Sequence, residues 1–287
     1  MFTPADRMGA LQKAFANRSL DVMVIDMEDA VAGTAEAKQR GRDNVHSFIS
    51  SVSKSELTPN IVIRVNCPHS SPYGVEDLAL IQELPNHVVD AVLLPKTDNP
   101  INVKATAIQV NKPIWCMIET PKGVQQVNHL AEVDEVDALV FGSNDLTKDL
   151  GAVLVPLTRE PLLYSMSRTI LAARANNKLV IDGVYMNLAA DSAAESGLEN
   201  VCKQGKELGF DGKSLIHPKQ LEITNRIFSP TEHELQHSFK VITAYTDAMK
   251  EGKGVCVVDG KLIEQLHVDA SKEMILKWEN INKRRSQ

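Results

Sequence analysis

The sequence lacks the signatures of several common classes of protein. None of its apolar runs is long enough to cross a bilayer, and its first ten residues, MFTPADRMGA, hold no apolar core of a secretory signal. The net charge of −6 at pH 7 gives no overall support for nucleic-acid binding. These absences predict a cytoplasmic protein that has neither a membrane nor a nucleic acid as its partner.

Cysteine is also scarce, and its spacing suits neither a disulfide framework nor a zinc site. The chain has four cysteines, and no two of them form a C-x-x-C pair. We therefore expect free thiols in a reducing compartment. No G-x-G-x-x-G motif follows the first predicted strand, which argues against dinucleotide binding. A chain of 287 residues with 43% hydrophobic residues suits one large α/β domain or two small ones.

What the chain does contain is clearest in residues 114–151, where two short apolar segments each lead to an acid. Residues 114–118 end at Glu119, and residues 138–141 run on to Asp145. This pattern predicts two strands joined by a helix, which is a parallel βαβ unit. The segment between the strands carries apolar residues at helical spacing: Val124, Val127, Leu130 and Val133.

The two acids at these strand ends are candidate metal ligands. In parallel α/β folds, ligands bind at the carboxyl ends of the strands, so Glu119 and Asp145 are expected to meet at one pocket. Carboxylate oxygens without competing thiolates or imidazoles suit Mg²⁺. The alternative is that each acid only caps a helix. Because the acids follow consecutive strands, we favour the Mg²⁺ site.

Apolar strands alternate with helical segments through the first part of the chain. Eight βα units in a chain of this size predict an α/β fold of the (β/α)₈ TIM-barrel type over residues 1–228, and an open doubly wound sheet is the alternative. The predicted strands are residues 1–4, 21–26, 61–65, 91–94, 114–118, 138–141, 179–184 and 214–216.

Residues 229–287 are predicted to form a helix–hairpin–helix extension. A long helix covers residues 231–251, a hairpin with an Asp259-Gly260 turn follows, and a final helix covers residues 268–280. This extension is not needed to close a barrel. It either packs against its own chain or forms an arm that covers the active-site mouth of a neighbouring subunit.

Two basic residues lie at predicted strand ends. Arg64 is either ion-paired with Glu28 or Asp29, or placed to stabilise a developing enolate or carboxylate oxygen. Lys96 resembles a Schiff-base nucleophile by position. Because acids surround the site and would keep its amine protonated, we expect a salt bridge instead.

Three further residues are ambiguous. His217 stands before Pro218 after the last predicted strand, and a lone histidine is more often structural than functional. Asp182 and Asp191 are either supporting residues around the site or helix caps.

Eight stretches, in order along the chain, resemble the citrate lyase beta-subunit-like family of Mg²⁺-dependent acyl-CoA lyases, which includes malyl-CoA and citramalyl-CoA lyases. They are FTPADR (2–7), VMVIDMEDAV (22–31), IRVN (63–66), LLPK (93–96), MIETPKGV (117–124), FGSNDLTKDLG (141–151), IDGV (181–184) and GFDGKSLIHPKQ (209–220). The resemblance implies a (β/α)₈ barrel and a homo-oligomer, either a trimer or a hexamer.

The resemblance also assigns roles to residues. It implies that Glu119 and Asp145 bind Mg²⁺, that Arg64 contacts the substrate, and that Glu28 and Asp29 hold metal-bound water. It places Lys13, Ile216 and His217 near coenzyme A. In the tail, Glu264 occurs where the family has an aspartate that reaches into a neighbouring active site, so we expect Glu264 to be catalytic with a changed reach.

The implied reaction is the cleavage or condensation of a 3-hydroxy-3-carboxyacyl-CoA thioester, such as malyl-CoA or citramalyl-CoA, to an acyl-CoA and a 2-oxo acid. Two alternatives stay open. One is a citrate lyase beta-type subunit that acts on a citryl thioester bound to an acyl carrier. The other is a metal-dependent 2-oxo acid aldolase that needs no coenzyme A, although Arg7, Lys13 and Arg18 favour a phosphate-binding rim.

Overall fold

Eight parallel strands form one sheet in the computed structural model, which describes residues 1–153 and 158–285. Each strand pairs with the one before it in the chain, so the spatial order of the strands is their chain order. The predicted α/β fold with eight parallel strands is therefore confirmed. The strands are β1 (Phe2–Pro4), β2 (Val22–Asp26), β3 (Asn60–Arg64), β4 (Ala91–Leu94), β5 (Ile114–Ile118), β6 (Val136–Phe141), β7 (Leu179–Asp182) and β8 (Gly212–Lys213).

Helices connect these strands, and short sequence signals start several of them. At the start of α5 (Pro121–Ala131), Thr120 accepts a hydrogen bond from the Gly123 N–H, and a proline occupies the first turn. At the start of α8 (Ser192–Leu208), Asp191 accepts a hydrogen bond from the Ala194 N–H at 2.8 Å, which confirms a capping role for Asp191. The helices are α1 (Met8–Phe15), α2 (Ala35–Ser51), α3 (Gly74–Glu83), α4 (Pro100–Val110), α5 (Pro121–Ala131), α6 (Ser143–Asp149), α7 (Leu163–Ala175), α8 (Ser192–Leu208) and α9 (Leu221–Phe228).

The last strand lies two residues earlier than the sequence predicted. The strand was expected at residues 214–216, but β8 pairs with β7 only through Gly212 and Lys213. The Ser214 N–H still donates to the Asp182 carbonyl at 2.8 Å. Beyond it, the Ile216 N–H donates to the side chain of Gln220 instead, so the backbone leaves the sheet.

Apolar side chains at alternate strand positions pack together on one face of the sheet. Their packing against one another provides the hydrophobic stabilisation of the fold, at about 25 cal/mol per Å² of buried apolar surface. The Phe2 N–H donates to the Leu215 carbonyl at 2.8 Å, which joins β1 to the segment after β8. The buried interior cluster consists of Val24, Val62, Ala91, Leu93, Met117 and Val140.

The chain divides into two compact units, Met1–Asn225 and Arg226–Gln287. The second unit contains α10 (Glu232–Lys250), the antiparallel strands β9 (Cys256–Val258) and β10 (Lys261–Ile263), and α11 (Gln265–Arg285). Thr231 and Glu234 form a capping box at the start of α10. Asp259 and Gly260 have φ angles of 49° and 75°, as a two-residue hairpin turn requires.

The four cysteines are free thiols, as predicted, and Cys116 is fully buried. Burial raises the pKa of the Cys116 thiol to about 12, so this side chain is inert as a nucleophile. Within the described ranges, no helix has both the length and the apolar character that crossing a membrane requires.

Candidate active site

A cavity of roughly 470 Å³ opens where several strands of the sheet end. Its apolar wall includes Phe2 of β1, Met117 of β5 and Phe141, the last residue of β6. The position agrees with the rule that ligands bind at the carboxyl ends of parallel strands. Its charged lining consists of Asp26, Asp29, Arg64, Glu119 and Asp145.

Glu119 follows β5 directly and is almost completely buried. Its Oε1 accepts a hydrogen bond from the backbone N–H of Lys96 at 2.8 Å. Lys96 adopts a left-handed backbone conformation with φ of 52°, which is costly for a residue other than glycine. Gly142 lies against the same carboxylate, because a Cβ at this position would stand 2.7 Å from Glu119 Oε2. Two backbone features therefore fix the position of Glu119.

The charge on Glu119 is poorly compensated by the protein. Burial is the main reason why the pKa of the Glu119 carboxyl is raised to about 8. The carboxylates of Glu28 and Asp145 raise this pKa further, whereas the Arg64 guanidinium and the Lys96 N–H oppose the rise. A cation bound here would offset the cost of keeping this carboxylate ionised.

Asp145 lies in the first turn of α6 and lines the same cavity as Glu119. The structure thus brings together the two acids that follow consecutive strands. In the part of the chain that the structure describes, no group of three or more His, Cys, Asp or Glu side chains is arranged to hold a metal ion. Mg²⁺ fits such a site, because it usually takes one or two carboxylates and completes its shell with water and substrate oxygens.

Arg64 ends β3 and is buried beneath the cavity among acids. Its Nε and Nη2 donate to the two carboxylate oxygens of Asp26 at 2.8 and 2.6 Å. Its Nη1 lies 2.8 Å from Glu28 Oε2 and 3.6 Å from Asp29 Oδ2. The guanidinium also stands 4.8 Å from the centre of the Phe2 ring. The ion pairs considered for Arg64 are therefore present, and they fix its plane at the cavity wall.

Asp26, the main partner of Arg64, was not singled out as a site residue from the sequence. Burial alone would lower the pKa of Arg64, but the carboxylates of Asp26, Glu28 and Asp29 raise it above its usual value. The signal that identifies Asp26 is its position, since it ends β2 and pairs with Arg64 in the register of β2 and β3. A strand-by-strand alignment of the predicted sheet would have found it.

Lys96 forms the predicted salt bridge. Its Nζ donates to Glu28 Oε1 at 2.8 Å. Burial alone would lower the pKa of the Lys96 ammonium, but Glu28 and Glu119 raise it. A protonated amine cannot attack a carbonyl, so this geometry argues against a Schiff-base mechanism. Burial also raises the pKa of Glu28 above its usual value.

The loop that carries Glu28 is held by Lys38 and Asn66, to which the sequence analysis assigned no role. Lys38, a buried residue of α2, donates to the carbonyls of Met27 and Glu28 at 2.7 and 2.6 Å. Asn66 donates to the same Met27 carbonyl at 3.0 Å and to Asp77 at 2.7 Å. In the sequence, Lys38 resembles any exposed lysine of a helix.

Asp182, at the end of β7, is the centre of a second charged cluster. Arg159 Nη1 donates to its two carboxylate oxygens at 2.7 and 2.8 Å, and Lys213 Nζ donates to Oδ2 at 2.8 Å. All three side chains are buried. Asp182 therefore anchors an ion-pair network between the ends of β7 and β8.

The remaining predicted site residues are dispersed. Ile216 lines the cavity. His217 accepts a hydrogen bond from the Lys219 N–H through its Nδ1 at 3.1 Å and so caps a short 3₁₀ turn. Lys13 is exposed in the last turn of α1 and does not line the cavity. Glu264 belongs to the second unit, where its N–H donates to His267 Nδ1 at 3.1 Å.

Comparison with known proteins gives consistent matches over nearly the whole chain. The model of the HpcH/HpaI aldolase/citrate lyase family matches residues 1–218. A (3S)-malyl-CoA thioesterase of Cereibacter sphaeroides is 35% identical over 282 residues, which cover 98% of this chain and 94% of that protein.

Two solved structures from Mycobacterium tuberculosis resemble the fold. The protein CitE in complex with magnesium, acetoacetate and coenzyme A has a TM-score of 0.79 and 23% identity, with 97% of this chain and 96% of that chain covered. A citrate lyase beta subunit complexed with oxaloacetate and magnesium has a TM-score of 0.66 and 25% identity, with 80% and 96% covered. At 23% identity, the first likeness concerns the fold alone.

Proposed function

This chain belongs to the HpcH/HpaI aldolase/citrate lyase family, and on that premise we propose that it is a Mg²⁺-dependent carbon–carbon lyase. Its substrate is a 3-hydroxy-3-carboxyacyl-CoA thioester of the malyl-CoA or citramalyl-CoA type, which it cleaves to an acyl-CoA and a 2-oxo acid or forms from them. The observation that carries this proposal is the meeting of Glu119 and Asp145 at one cavity beside a buried arginine.

Glu119 and Asp145 hold Mg²⁺ in this proposal. A bound Mg²⁺ supplies a Lewis acid that orients the oxygens of the substrate and lowers the pKa of its hydroxyl group. Lys96 fixes Glu119 through its backbone N–H and restrains Glu28 through its ammonium group. Glu28 and Asp29 would hold water that is bound to this ion.

Arg64 stabilises the oxygen on which negative charge develops. When the carbon–carbon bond breaks, its electron pair moves into the acyl-CoA fragment and produces an enolate. The two hydrogen bonds to Asp26 hold the guanidinium plane in place, so Arg64 needs no reorganisation as charge develops. Phe2, Met117 and Phe141 form an apolar part of the cavity lining.

Proton transfer requires a further group, and Glu264 of a neighbouring copy is our candidate. It takes the hydroxyl proton as the 2-oxo acid forms, or returns a proton to the enolate carbon. Glutamate keeps the carboxylate of the family's aspartate and adds one methylene. A displacement of about 1 Å can change a rate by about 100-fold, so this difference affects the choice of substrate.

The architecture of the proposed enzyme follows from the same premise. The hydrogen bond from Phe2 to Leu215 supports a closed (β/α)₈ barrel as the catalytic domain, residues 1–228. Residues 229–287 form a helix–hairpin–helix extension that contributes to a trimer or hexamer. In this proposal, Lys13, Ile216 and His217 lie near the coenzyme A moiety of the substrate.

The proposed location of the protein is the cytoplasm.

A direct test is to incubate the purified protein and Mg²⁺ with malyl-CoA, citramalyl-CoA and citryl-CoA. We expect release of glyoxylate, pyruvate or oxaloacetate from at least one thioester, and loss of that release after a chelator is added. Failure to cleave any of the three by a folded protein would contradict the proposal.

Hydrolysis of the thioester is a second candidate activity, because the similar protein of Cereibacter sphaeroides is named a (3S)-malyl-CoA thioesterase. Measuring free thiol together with the oxo acid separates the reactions. Cleavage releases the oxo acid and leaves an acyl-CoA, whereas hydrolysis releases free coenzyme A. Activity only on a carrier-bound citryl thioester, or only on free hydroxy-oxo acids, would favour the two alternatives from the sequence.

A further inference from the structure

One wall of the cavity is formed by the segments that leave β7 and β8. Val184 and Met186 line it from the first segment, and Ser214 and Ile216 line it from the second. The pairing of β7 with β8 ends at Asp182, whose carbonyl accepts from the Ser214 N–H. Beyond this point, no backbone hydrogen bond joins the two segments within the described ranges. Something other than the sheet must therefore hold them together.

Gln220 supplies that connection through its side chain. Its Oε1 accepts from the Ile216 N–H at 3.0 Å, and its Nε2 donates to the Tyr185 carbonyl at 2.8 Å. Gln220 is only 4% exposed, so water does not compete for these bonds. Because the backbone partners are a donor and an acceptor, the side chain must accept and donate at the same time, which a primary amide does.

The sequence H-P-K-Q builds this arrangement locally. His217 accepts from the Lys219 N–H and caps a 3₁₀ turn formed by Pro218–Gln220. Pro218 suits the first position of such a turn, because a backbone N–H there would have no partner and proline lacks that N–H. The turn brings the Gln220 side chain back to the amide of Ile216, four residues earlier. The role of His217 in this arrangement is to shape the turn that presents Gln220.

We infer that Gln220 is a positioning residue that holds the Met186 and Ile216 wall of the cavity against the thioester substrate. This inference rests on the proposed function, because the wall matters only if a thioester occupies the cavity. The ligands proposed for Mg²⁺ follow β5 and β6, so they do not depend on Gln220. Loss of the amide should therefore weaken thioester binding and leave metal activation intact.

The variant Gln220→Met keeps the length of the side chain and removes both hydrogen bonds, and Gln220→Glu keeps the acceptor but removes the donor. The matched control is Gln82→Met on α3. Gln82 is exposed and donates to the Gln109 carbonyl at 2.8 Å, so it also bonds to a backbone carbonyl, but at the surface.

Two measurements test the inference. In Gln220→Met, hydrogen exchange at the Ile216 amide should accelerate. The Ser214 amide should stay protected by its hydrogen bond to the Asp182 carbonyl. The KM is measured for whichever of malyl-CoA, citramalyl-CoA and citryl-CoA the wild type cleaves fastest. It should rise roughly 5-fold, the change that corresponds to one net hydrogen bond. The kcat and the Mg²⁺ activation constant should change less than about 2-fold. The control should match the wild type in every readout.

Unchanged protection of Ile216, or an unchanged KM in a folded Gln220→Met protein, would overturn the inference. A parallel loss of kcat and Mg²⁺ activation would also overturn it, since that pattern indicates a general structural role. If Gln220→Met fails to fold, Gln220→Glu decides the same question through the same readouts. A wild-type protein that cleaves no thioester would contradict the proposed function instead, whereas the exchange data report on the hydrogen bonds independently of turnover.

Discussion

Two charged clusters lie at the ends of strands in the same sheet. Acids outnumber cations in the first cluster, whereas cations outnumber acids in the second. The acid-rich cluster combines two cations, Arg64 and Lys96, with a larger set of acids: Asp26, Glu28, Asp29, Glu119 and Asp145. The paired cluster combines one acid, Asp182, with Arg159 and Lys213. The first faces a cavity, and the second is buried within the protein.

This difference distinguishes the candidate metal site from a structural ion-pair network. A buried acid is tolerated when cations pair with it, and Asp182 has two. Among the described residues, none forms an ion pair with Glu119, and burial is the main reason why its pKa is raised to about 8. The acid-rich cluster is therefore suited to receive a cation from solution, whereas the paired cluster already contains its own.

The largest effect on activity is expected for Asp145→Asn, which removes one carboxylate from the acid-rich cluster. We expect a loss of cleavage on the order of 10²–10³-fold, because charge stabilisation at the reacting atoms is lost. Stability without metal should be unchanged or higher, because Asp145 repels Glu119. Steady-state kinetics and thermal unfolding measure both. Asp149→Asn, at the exposed end of the same helix, is the control, and equal activities of the two variants would contradict the metal assignment.

The paired cluster should respond in stability instead. Asp182→Asn leaves Arg159 and Lys213 buried without their carboxylate, and we expect a loss of about 3–5 kcal/mol in the free energy of unfolding. Lys213→Met should lower the free energy of unfolding less than Asp182→Asn does, because Arg159 still pairs with Asp182 through two contacts. Urea denaturation measures the free energies, and the Mg²⁺ activation constant of the folded fraction should match the wild type. An Asp182→Asn protein as stable as the wild type would remove the distinction between the clusters.

A smaller effect is expected for Lys96→Met. The variant loses the contact with Glu28 but keeps the backbone N–H that binds Glu119, so activity should fall about 10-fold, as for other residues that orient metal ligands. Borohydride treatment during turnover should trap no substrate on the wild-type protein. Complete loss of activity, together with a trapped adduct, would instead identify Lys96 as a Schiff-base nucleophile.

The sequence predicted the acid-rich cluster better than the paired cluster for a physical reason. Glu119 and Asp145 each follow a strand within one βαβ unit, so the strand pattern alone brings them to one end of the sheet. Asp182 ends β7, but Arg159 lies outside the strands, so the strand pattern alone does not bring these two side chains together.

Tertiary contacts also explain the individual errors. Asp26 was missed because its importance comes from its register neighbour Arg64, and Lys38 because its burial does not follow from helical spacing. The strand expected at residues 214–216 ends earlier, because the Ile216 N–H donates to the Gln220 side chain and not to a neighbouring strand.

The most direct test of the account is the effect of Mg²⁺ on the thermal unfolding of three proteins: the wild type, Glu119→Gln and Asp182→Asn. A ligand at 100 times its Kd stabilises the folded state by about 2.7 kcal/mol, so Mg²⁺ at that level should raise the Tm of the wild type clearly. Asp182→Asn should start from a lower Tm and show the same rise, and Glu119→Gln should show none. Two results would contradict the claim that the acid-rich cluster is the metal site. One is a wild-type Tm that does not change with Mg²⁺, and the other is a Glu119→Gln protein whose Tm rises as much as that of the wild type.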